Sequence, residues 1–318
     1  MIVKRKKIFI GPIKPYPSWA WAGLDLAREL SKYYEVSLFF DMPQIKNADV
    51  VILVKEPLTE KMLEELRLKA KYIVYVPVDL WLEEEDFLRS VSVLKQVDLV
   101  FIHSERLGEL LKKHNINSIF VEHHHKYTLK TKVEYKERGK VLWIGGYEYV
   151  PLIVDYLEKN NLNFGIDMLT SPDTGEAFLG ACQRFKLLGN TGDLKEHLAP
   201  LKNLSFSIWT ESLQKTLMEQ AKAGFDIKNA SFWSQVYKPP TKAQQFISSG
   251  IPFACNKESC HYEYFSKRGF EIPEPTNTNR WFSYEYWLET NKFKDMFNEL
   301  ISLSTVGKIY KTNLDLFL

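Results

Sequence analysis

The sequence has few cysteines, no strong excess of charge of either sign and no long hydrophobic run. Its three cysteines give no disulfide framework, which fits a reducing compartment, and their spacing matches no zinc site. The formal charge of +2 is too small to attract the protein as a whole to nucleic acid or to a membrane. No apolar run approaches the roughly 20 residues that span a bilayer. Basic residues at the N-terminus lead into a short strand and not into a signal peptide, so we expect a cytoplasmic protein.

What is present is the composition of a globular protein long enough for two domains. Hydrophobic residues make up 45% of the 318 residues and charged residues 26%. Short apolar segments alternate with amphipathic helical patterns along the first 121 residues, which predicts a parallel sheet with helices on both faces. The predicted strands are 8–10, 36–40, 49–54, 72–76, 99–102 and 118–121, and the predicted helices include 18–33, 59–70 and 105–114.

A polar, lysine-rich stretch at 126–140 interrupts this rhythm and is typical of an interdomain linker. The alternation then resumes, so we predict a first domain over 1–130 and a second over 139–280. A final segment, 281–318, contains a helix rich in aromatic residues. Predicted strands of the second domain are 139–144, 164–169, 204–209 and 251–255, and predicted helices are 152–159, 178–188, 213–223 and 241–249.

The segment 238–252 carries the strongest functional signal. A loop with Lys238 and Thr241 runs into a short apolar helix that Gly250 closes. The free amides of the first turn, the Thr241 hydroxyl and the Lys242 ammonium would converge where a helix end favours negative charge. This pattern predicts a diphosphate site. An ordinary surface helix with solvated lysines accounts for the loop equally well.

Paired glycines end the first predicted strand of the second domain. Gly145, Gly146 and Tyr147 would allow close approach of the backbone to a ligand at the strand-to-helix turn. Glycines that simply allow packing beside a structural helix are the alternative.

The Gly145–Gly146 turn, the 238–252 segment and Glu263 follow one another in the order found in glycosyltransferases of the GT-B fold, and the chain resembles them. Gly250 and Pro252 match the Gly-x-Pro of the large retaining family, and Glu263 falls at the place of a later glutamate. The family's two glutamates spaced eight apart would stand at Tyr237 and Gln245, and neither position is acidic. The resemblance implies that Gln245 contacts the ribose hydroxyls of the donor.

The resemblance implies an α/β protein of two Rossmann-like, doubly wound domains that face each other across a cleft, with a C-terminal helix that crosses back to the first. It implies a metal-independent transferase that uses a UDP- or GDP-sugar as donor substrate and holds no permanently bound cofactor. Lys238, Thr241 and Lys242 would neutralise the diphosphate. The acceptor would be a glycan, a lipid-linked glycan, a protein or a small molecule.

Acceptor-side and catalytic residues are expected at the carboxyl ends of the first domain's strands. Asp79 is a candidate general base, and capping of the next helix is its structural alternative. Glu122, His123 and His124 follow the last strand. With His125 they form a histidine run, but neighbours on an extended chain point in opposite directions and cannot share one metal ion. We therefore expect one imidazole, with His124 as the candidate, to contact donor or acceptor.

The loop after the first strand is aromatic. Gly11 ends that strand, and Trp19 and Trp21 follow it. Their rings could stack on a sugar or a base, or simply pack against the neighbouring helix. Ser104 is predicted to cap the helix that follows it.

Other functions stay open at this point. A phage-type enzyme that glycosylates modified bases in duplex DNA would need a basic groove in the first domain, for which 4–7 and 126–140 are candidates. A nucleotide-sugar epimerase would need buried acids or histidines around the donor. A non-catalytic nucleotide-sugar-binding protein is the remaining reading.

Overall fold

The computed structural model describes residues 5–15, 17–131, 133–171 and 203–318. The chain divides into two compact units. Unit 1 comprises Met1–His124, Ser231–Pro239 and Glu299–Leu318, and unit 2 comprises His125–Ala230 and Pro240–Asn298. The predicted helix at 178–188 lies outside the described residues.

Unit 1 is built on a six-stranded parallel sheet. Its strands are β1 (Lys7–Gly11), β2 (Glu35–Leu38), β3 (Ala48–Val54), β4 (Ala70–Val76), β5 (Leu99–Ile102) and β6 (Ser118–Phe120). They lie in the order β2-β1-β3-β4-β5-β6. The chain runs from β1 to β2 on one side and returns to β3 on the other. The sheet therefore has a topological switch point between β1 and β3.

Both faces of this sheet are covered. Successive residues of a strand point to opposite faces, so each strand contributes side chains to two core clusters. On β3, Val50 and Ile52 join one core cluster, whereas Val51 and Leu53 join the other. The helices of unit 1 are α1 (Pro17–Trp19), a π-helical segment (Ala20–Asp25), α2 (Leu26–Leu30), α3 (Glu60–Arg67), α4 (Glu84–Leu94), α5 (Glu105–Lys113), α8 (Trp233–Val236) and α13 (Leu303–Asp315).

The C-terminal helix belongs to unit 1. Val306, Tyr310 and Leu314 of α13 are buried in the same core cluster as β1 and α2. The Tyr34 hydroxyl donates to Asp315 at 2.5 Å, which fixes the last turn of α13.

Unit 2 is built on a five-stranded parallel sheet. Its strands are β7 (Val141–Gly145), β8 (Ile166–Thr170), β9 (Leu204–Ile208), β10 (Ala223–Asp226) and β11 (Phe253–Cys255). They lie in the order β11-β10-β7-β8-β9. The chain leaves β7 toward β8 on one side and returns to β10 on the other, so the switch point lies between β7 and β10. Its helices are α6 (Val150–Lys159), α7 (Glu211–Gln220), α9 (Thr241–Ser248), α10 (Cys260–Ser266), α11 (Thr278–Trp281) and α12 (Tyr284–Leu300), the last of which belongs to unit 2 as far as Asn298.

Local sequence signals set the helix ends. The Ser104 hydroxyl accepts from the Leu107 amide, which confirms the predicted cap of α5. Helix α9 follows Pro240 and ends where Gly250 adopts φ +75°. The Ile251 amide then donates to the Phe246 carbonyl at 3.0 Å, as in a glycine-terminated helix.

Ten of the eleven strands in the described ranges confirm the predicted rhythm, with ends shifted by at most two residues. Strand β10 was not predicted. Its four residues, Ala223-Gly-Phe-Asp226, contain a glycine and end in an acid, so they show no strand pattern of their own. Pairing with β7 and β11 on either side makes this segment a central strand.

Candidate functional site

Asp226 is the centre of the candidate site in unit 2. It ends β10 at the switch point of the sheet and is 1% exposed. Lys228 Nζ lies 2.7 Å and Lys242 Nζ 3.0 Å from its carboxylate oxygens. His261 Nε2 lies 2.9 Å from the carboxylate, and the Trp143 indole donates to it at 3.1 Å. We call these five residues the Asp226 cluster.

Burial and charge act in opposite directions on the Asp226 cluster. Burial alone would raise the pKa of Asp226, but Lys228, Lys242 and His261 together hold that pKa well below its usual range. Burial would lower the pKa of Lys228, yet the Asp226 carboxylate outweighs it and raises the pKa to about 12. Burial lowers the pKa of His261 to about 4 despite its contact with Asp226. At neutral pH the cluster therefore carries two ammonium groups, one carboxylate and a neutral imidazole, which is one excess positive charge.

The ammonium group of Lys242 is the accessible one. Its side chain is 21% exposed, compared with 10% for Lys228. It lies 4.8 Å from the centre of the Trp143 ring and packs beside Gly145, where a Cβ atom would come within 2.9 Å of Lys242 Nζ. The glycine at the end of β7 thus leaves room for the cation at the switch point.

The start of α9 adds backbone donors at the same edge. Thr241 is its first residue, and the N-cap is Pro240, whose side chain makes no capping hydrogen bond. Gln245 shares the face of Thr241, one turn further along the helix. At the start of helix α6, which follows the Gly146 turn, the N-cap residue Tyr149 makes no side-chain capping hydrogen bond either. Backbone amides at helix starts, beside a cluster with two cations and one carboxylate at a parallel-sheet switch point, are features that anion sites commonly use.

The other residues predicted to bind the donor make contacts outside the Asp226 cluster. The Tyr147 amide donates to Ser171 Oγ at 3.1 Å, and the Tyr147 side chain is buried. Glu263 lies on α10 and pairs with Lys267 at 2.7 Å. Lys238 belongs to the segment Ser231–Pro239 of unit 1, whereas Thr241 and Lys242 belong to unit 2.

In unit 1, a second group of polar residues lies beyond the ends of β5 and β6. His124 Nε2 contacts Asp25 at 3.0 Å, and the Trp21 indole donates to the His124 carbonyl at 3.0 Å. The rings of His103 and His123 lie 4.1 Å apart. Glu122, His123 and His124 are all buried, as are Trp19 and Trp21. The partner of His124, Asp25 in the π-helical segment, was not singled out from the sequence.

Of the polar site residues predicted at the carboxyl ends of the unit 1 strands, Asp79 is the one that is exposed. It follows β4 and has φ +52°, directly after Val78 with φ +28°. Such angles are costly for residues with a side chain, above all for a β-branched valine, and they are often found at functional sites. Gly11 ends β1 at the switch point, where a Cβ atom would lie 2.5 Å from the Phe39 carbonyl oxygen.

The buried histidines predict a loss of stability in mild acid. Burial lowers the pKa of His103 to about 4, although the contact of Nδ1 with the Val121 carbonyl opposes this. As pH falls below about 6.5, the unfolded chain takes up a proton on this imidazole while the folded chain does not until about pH 4. Stability that is fully present above pH 6.5 is thus lost toward pH 4.

His103→Asn tests this linkage, because the asparagine Nδ2 can still donate to the Val121 carbonyl. Between pH 6 and 5 the unfolding free energy of the parent should fall more steeply than that of the variant, by about 1 kcal/mol per pH unit. Urea unfolding at pH 7.5, 6.0 and 5.0 measures both slopes. Parallel slopes would show that His103 is protonated equally in the folded and unfolded chains.

Neither a protein-family model nor a curated protein matches the sequence. Solved structures do match. AviGT4, a glycosyltransferase involved in avilamycin A biosynthesis, aligns over 96% of both chains with a TM-score of 0.57 and 10% identity. The α,α-trehalose 6-phosphate synthase of Burkholderia multivorans aligns over 98% of both chains, with a TM-score of 0.64 and 8% identity.

The chain has the GT-B fold. It has two α/β units, each on a parallel sheet, and it aligns with both structures over at least 96% of its length. A third match is the N-terminal domain of the Candida albicans trehalose-6-phosphate phosphatase, with a TM-score of 0.60 and 8% identity over 87% of this chain and 72% of that one. No helix in the described ranges has the length and apolar composition that a membrane crossing requires.

Proposed function

We propose that the protein is a glycosyltransferase that moves a sugar from a nucleotide-diphosphate sugar to an acceptor hydroxyl. The observation that carries this proposal is the Asp226 cluster, in which two lysines surround one carboxylate beside Gly145 at the switch point of unit 2. A GT-B fold is consistent with this activity, and the anion site supplies the chemistry that the fold alone does not.

When the glycosidic bond breaks, the leaving diphosphate gains negative charge. In our proposal, Lys242 contacts this diphosphate, and the amides at the start of α9 donate to it. Asp226, which also pairs with Lys228, holds the Lys242 ammonium in position before the donor binds, so little reorganisation is needed. Preorganised cations and amides can stabilise the leaving group without a metal ion, and we propose a metal-independent reaction. Gln245, on the same helix face as Thr241, would contact the ribose.

For the acceptor side we propose residues at the carboxyl ends of the strands of unit 1. Asp79 is exposed there and could take the proton of the acceptor hydroxyl. His124 is buried and contacts Asp25, so we propose that it positions the neighbouring Glu122 and His123 and does not itself contact a substrate. Trp19 and Trp21 are buried as well, so we assign them to the packing of this edge.

A donor panel tests the proposal. The purified chain is incubated with UDP- and GDP-sugars in EDTA, and release of nucleoside diphosphate is followed by a coupled assay. We expect slow release with one donor, by transfer to water, that Lys242→Ala abolishes and Lys215→Ala leaves unchanged. Lys215 is an exposed lysine on α7 of the same unit and serves as the matched control. Release of nucleoside diphosphate that requires a divalent cation would contradict the proposal that the reaction is metal-independent.

One observation favours a second candidate, a nucleotide-sugar-binding protein without transferase activity. The two glutamates of the retaining glycosyltransferases are replaced by Tyr237 and Gln245. In that case the donor panel would show binding of a nucleotide sugar, measured calorimetrically, with no release of nucleoside diphosphate. An epimerase would convert the donor without releasing nucleoside diphosphate, and chromatography of the recovered nucleotide sugar would reveal it.

The two adjacent glycines allow a matched pair of substitutions. A Cβ atom on Gly145 would lie 2.4 Å from the buried Trp143 ring, whereas one on Gly146 would meet the flexible carboxylate of Glu148. Gly145→Ala must displace Trp143, which contacts both Asp226 and Lys242. We expect it to weaken nucleoside-diphosphate binding about tenfold, and Gly146→Ala to have the smaller effect. Equal affinities of the two variants in calorimetric titration would contradict this geometry.

A further inference from the structure

A basic groove lies at the opposite edge of the unit 1 sheet from the carboxyl ends discussed above. It has a volume of about 610 Å³ and is formed where β1, β3 and β4 begin and α3 ends. Six basic side chains and one carboxylate, Asp49, line it together with Leu68. The basic residues are Arg5, Lys6, Lys7, Arg67, Lys69 and Lys71. Because it lies at the amino ends of the strands, it is separate from the ligand edge of this sheet.

Part of this charge is paired and part is exposed. Asp49 accepts from Lys71 Nζ at 2.7 Å and from the Lys7 amide at 2.9 Å. Arg67 pairs with Asp98 at 2.7 Å. The Lys7 ammonium lies 3.8 Å from Glu35. Six basic side chains therefore face three carboxylates, and the groove keeps an excess of positive charge, with Arg5 and Lys6 exposed. The chain as a whole carries a formal charge of only +2, so the charge is concentrated locally.

The exposed Leu68 indicates which kind of polyanion the groove binds. It follows α3 between Arg67 and Lys69, and its side chain is 89% exposed, the largest value among the exposed large hydrophobic residues described. A duplex nucleic acid presents phosphates to such a groove but has no apolar region at its backbone for a leucine. An anionic bilayer offers both, with phosphates at the headgroups and an apolar layer a few ångströms deeper.

We propose that the groove docks the protein on an anionic lipid surface. Phosphates of the headgroups occupy the groove, and Leu68 enters the boundary between headgroups and acyl chains. Several basic residues at an anionic leaflet give reversible association, and the attraction decays within a Debye length. This inference does not depend on the activity proposed above.

Co-sedimentation of the full chain with vesicles tests it. The vesicles contain phosphatidylcholine alone or with 30% phosphatidylglycerol, at 0.1 M and 0.5 M salt. We expect binding to the anionic vesicles at 0.1 M salt and its loss at 0.5 M salt. Lys6→Ala should weaken it about fivefold, and Arg5→Ala/Lys6→Ala about 25-fold. Leu68→Ser should weaken it about tenfold.

Matched controls lie elsewhere on unit 1. Lys61→Ala replaces an exposed lysine at the other end of α3, and Leu88→Ser replaces a 48% exposed leucine on α4; both should bind like the parent. Equal binding to neutral vesicles, or equal loss in the control variants, would overturn the proposal. So would sedimentation unaffected by the groove variants. Duplex DNA binding that the groove variants weaken, without vesicle binding, would overturn it in favour of a nucleic-acid surface.

Discussion

Lys242→Ala should lower kcat/KM for the nucleotide sugar by about 100- to 1,000-fold, the effect typical of removing one preorganised group that stabilises developing charge. Its ammonium is the accessible cation of the Asp226 cluster. Lys228, the other cation of the cluster, is more deeply buried and cannot replace it. Nucleoside-diphosphate affinity should fall as well, by at least tenfold. Steady-state kinetics on the donor identified by the panel, together with calorimetric titration, measures both effects.

Two further variants show whether the effect is specific. Lys242→Arg keeps the charge but enlarges the group beside Trp143 and Gly145, so we expect activity between that of the parent and that of the alanine variant. Lys215→Ala, on exposed α7, should match the parent. If Lys242→Ala binds and turns over the donor like the parent, the anion site is not where the leaving group lies.

Asp226→Ala should destabilise the protein by about 3–5 kcal/mol, because it leaves the ammonium groups of Lys228 and Lys242 facing each other without a carboxylate. A loss of this size corresponds to a lower Tm by roughly 6–20 °C for a domain of 150 to 250 residues. Inorganic pyrophosphate should raise the Tm of the variant more than that of the parent, since the added anion replaces the missing negative charge. Differential scanning fluorimetry measures both shifts.

A double variant separates the buried charge from simple loss of packing. In Asp226→Ala/Lys228→Met the buried cation is removed together with its carboxylate, and methionine fills much of the lysine's volume. We expect the double variant to be more stable than Asp226→Ala alone, with a coupling free energy of about 1–3 kcal/mol. Strictly additive losses would mean that the two side chains do not interact as the 2.7 Å contact implies.

The fold was largely predictable because its signals are local. Short apolar runs such as those of β3 and β4 are buried strands in both the sequence pattern and the structure. The amphipathic segments between them form the covering helices. Strand β10 is the exception, because its glycine and terminal acid break the apolar run, and only its neighbours in the sheet stabilise it.

The candidate site was predictable only in part. Gly145, Thr241 and Lys242 carry local signals, namely a glycine after a strand and a cation at a helix start. The residue that organises them, Asp226, lies 83 positions from Trp143 and 35 from His261 in sequence, so no spacing rule links them. His261 carries no such signal in the sequence, and it is a fully buried partner of the carboxylate.

A similar reason applies to unit 1. Asp25 and His124 are 99 residues apart. Asp25 lies within the predicted helix 18–33, but the π-helical form of its segment was not predicted. Long-range pairing of polar residues depends on how strands are ordered in the sheet, and the order is set by tertiary packing.

A crystal structure with a bound nucleoside diphosphate would show where the leaving group lies. We expect phosphate oxygens about 3 Å from Lys242 Nζ and from the amides at the start of α9, with Asp226 and Lys228 still paired. A diphosphate bound elsewhere on the chain, with Lys242 in contact only with Asp226, would contradict this expectation.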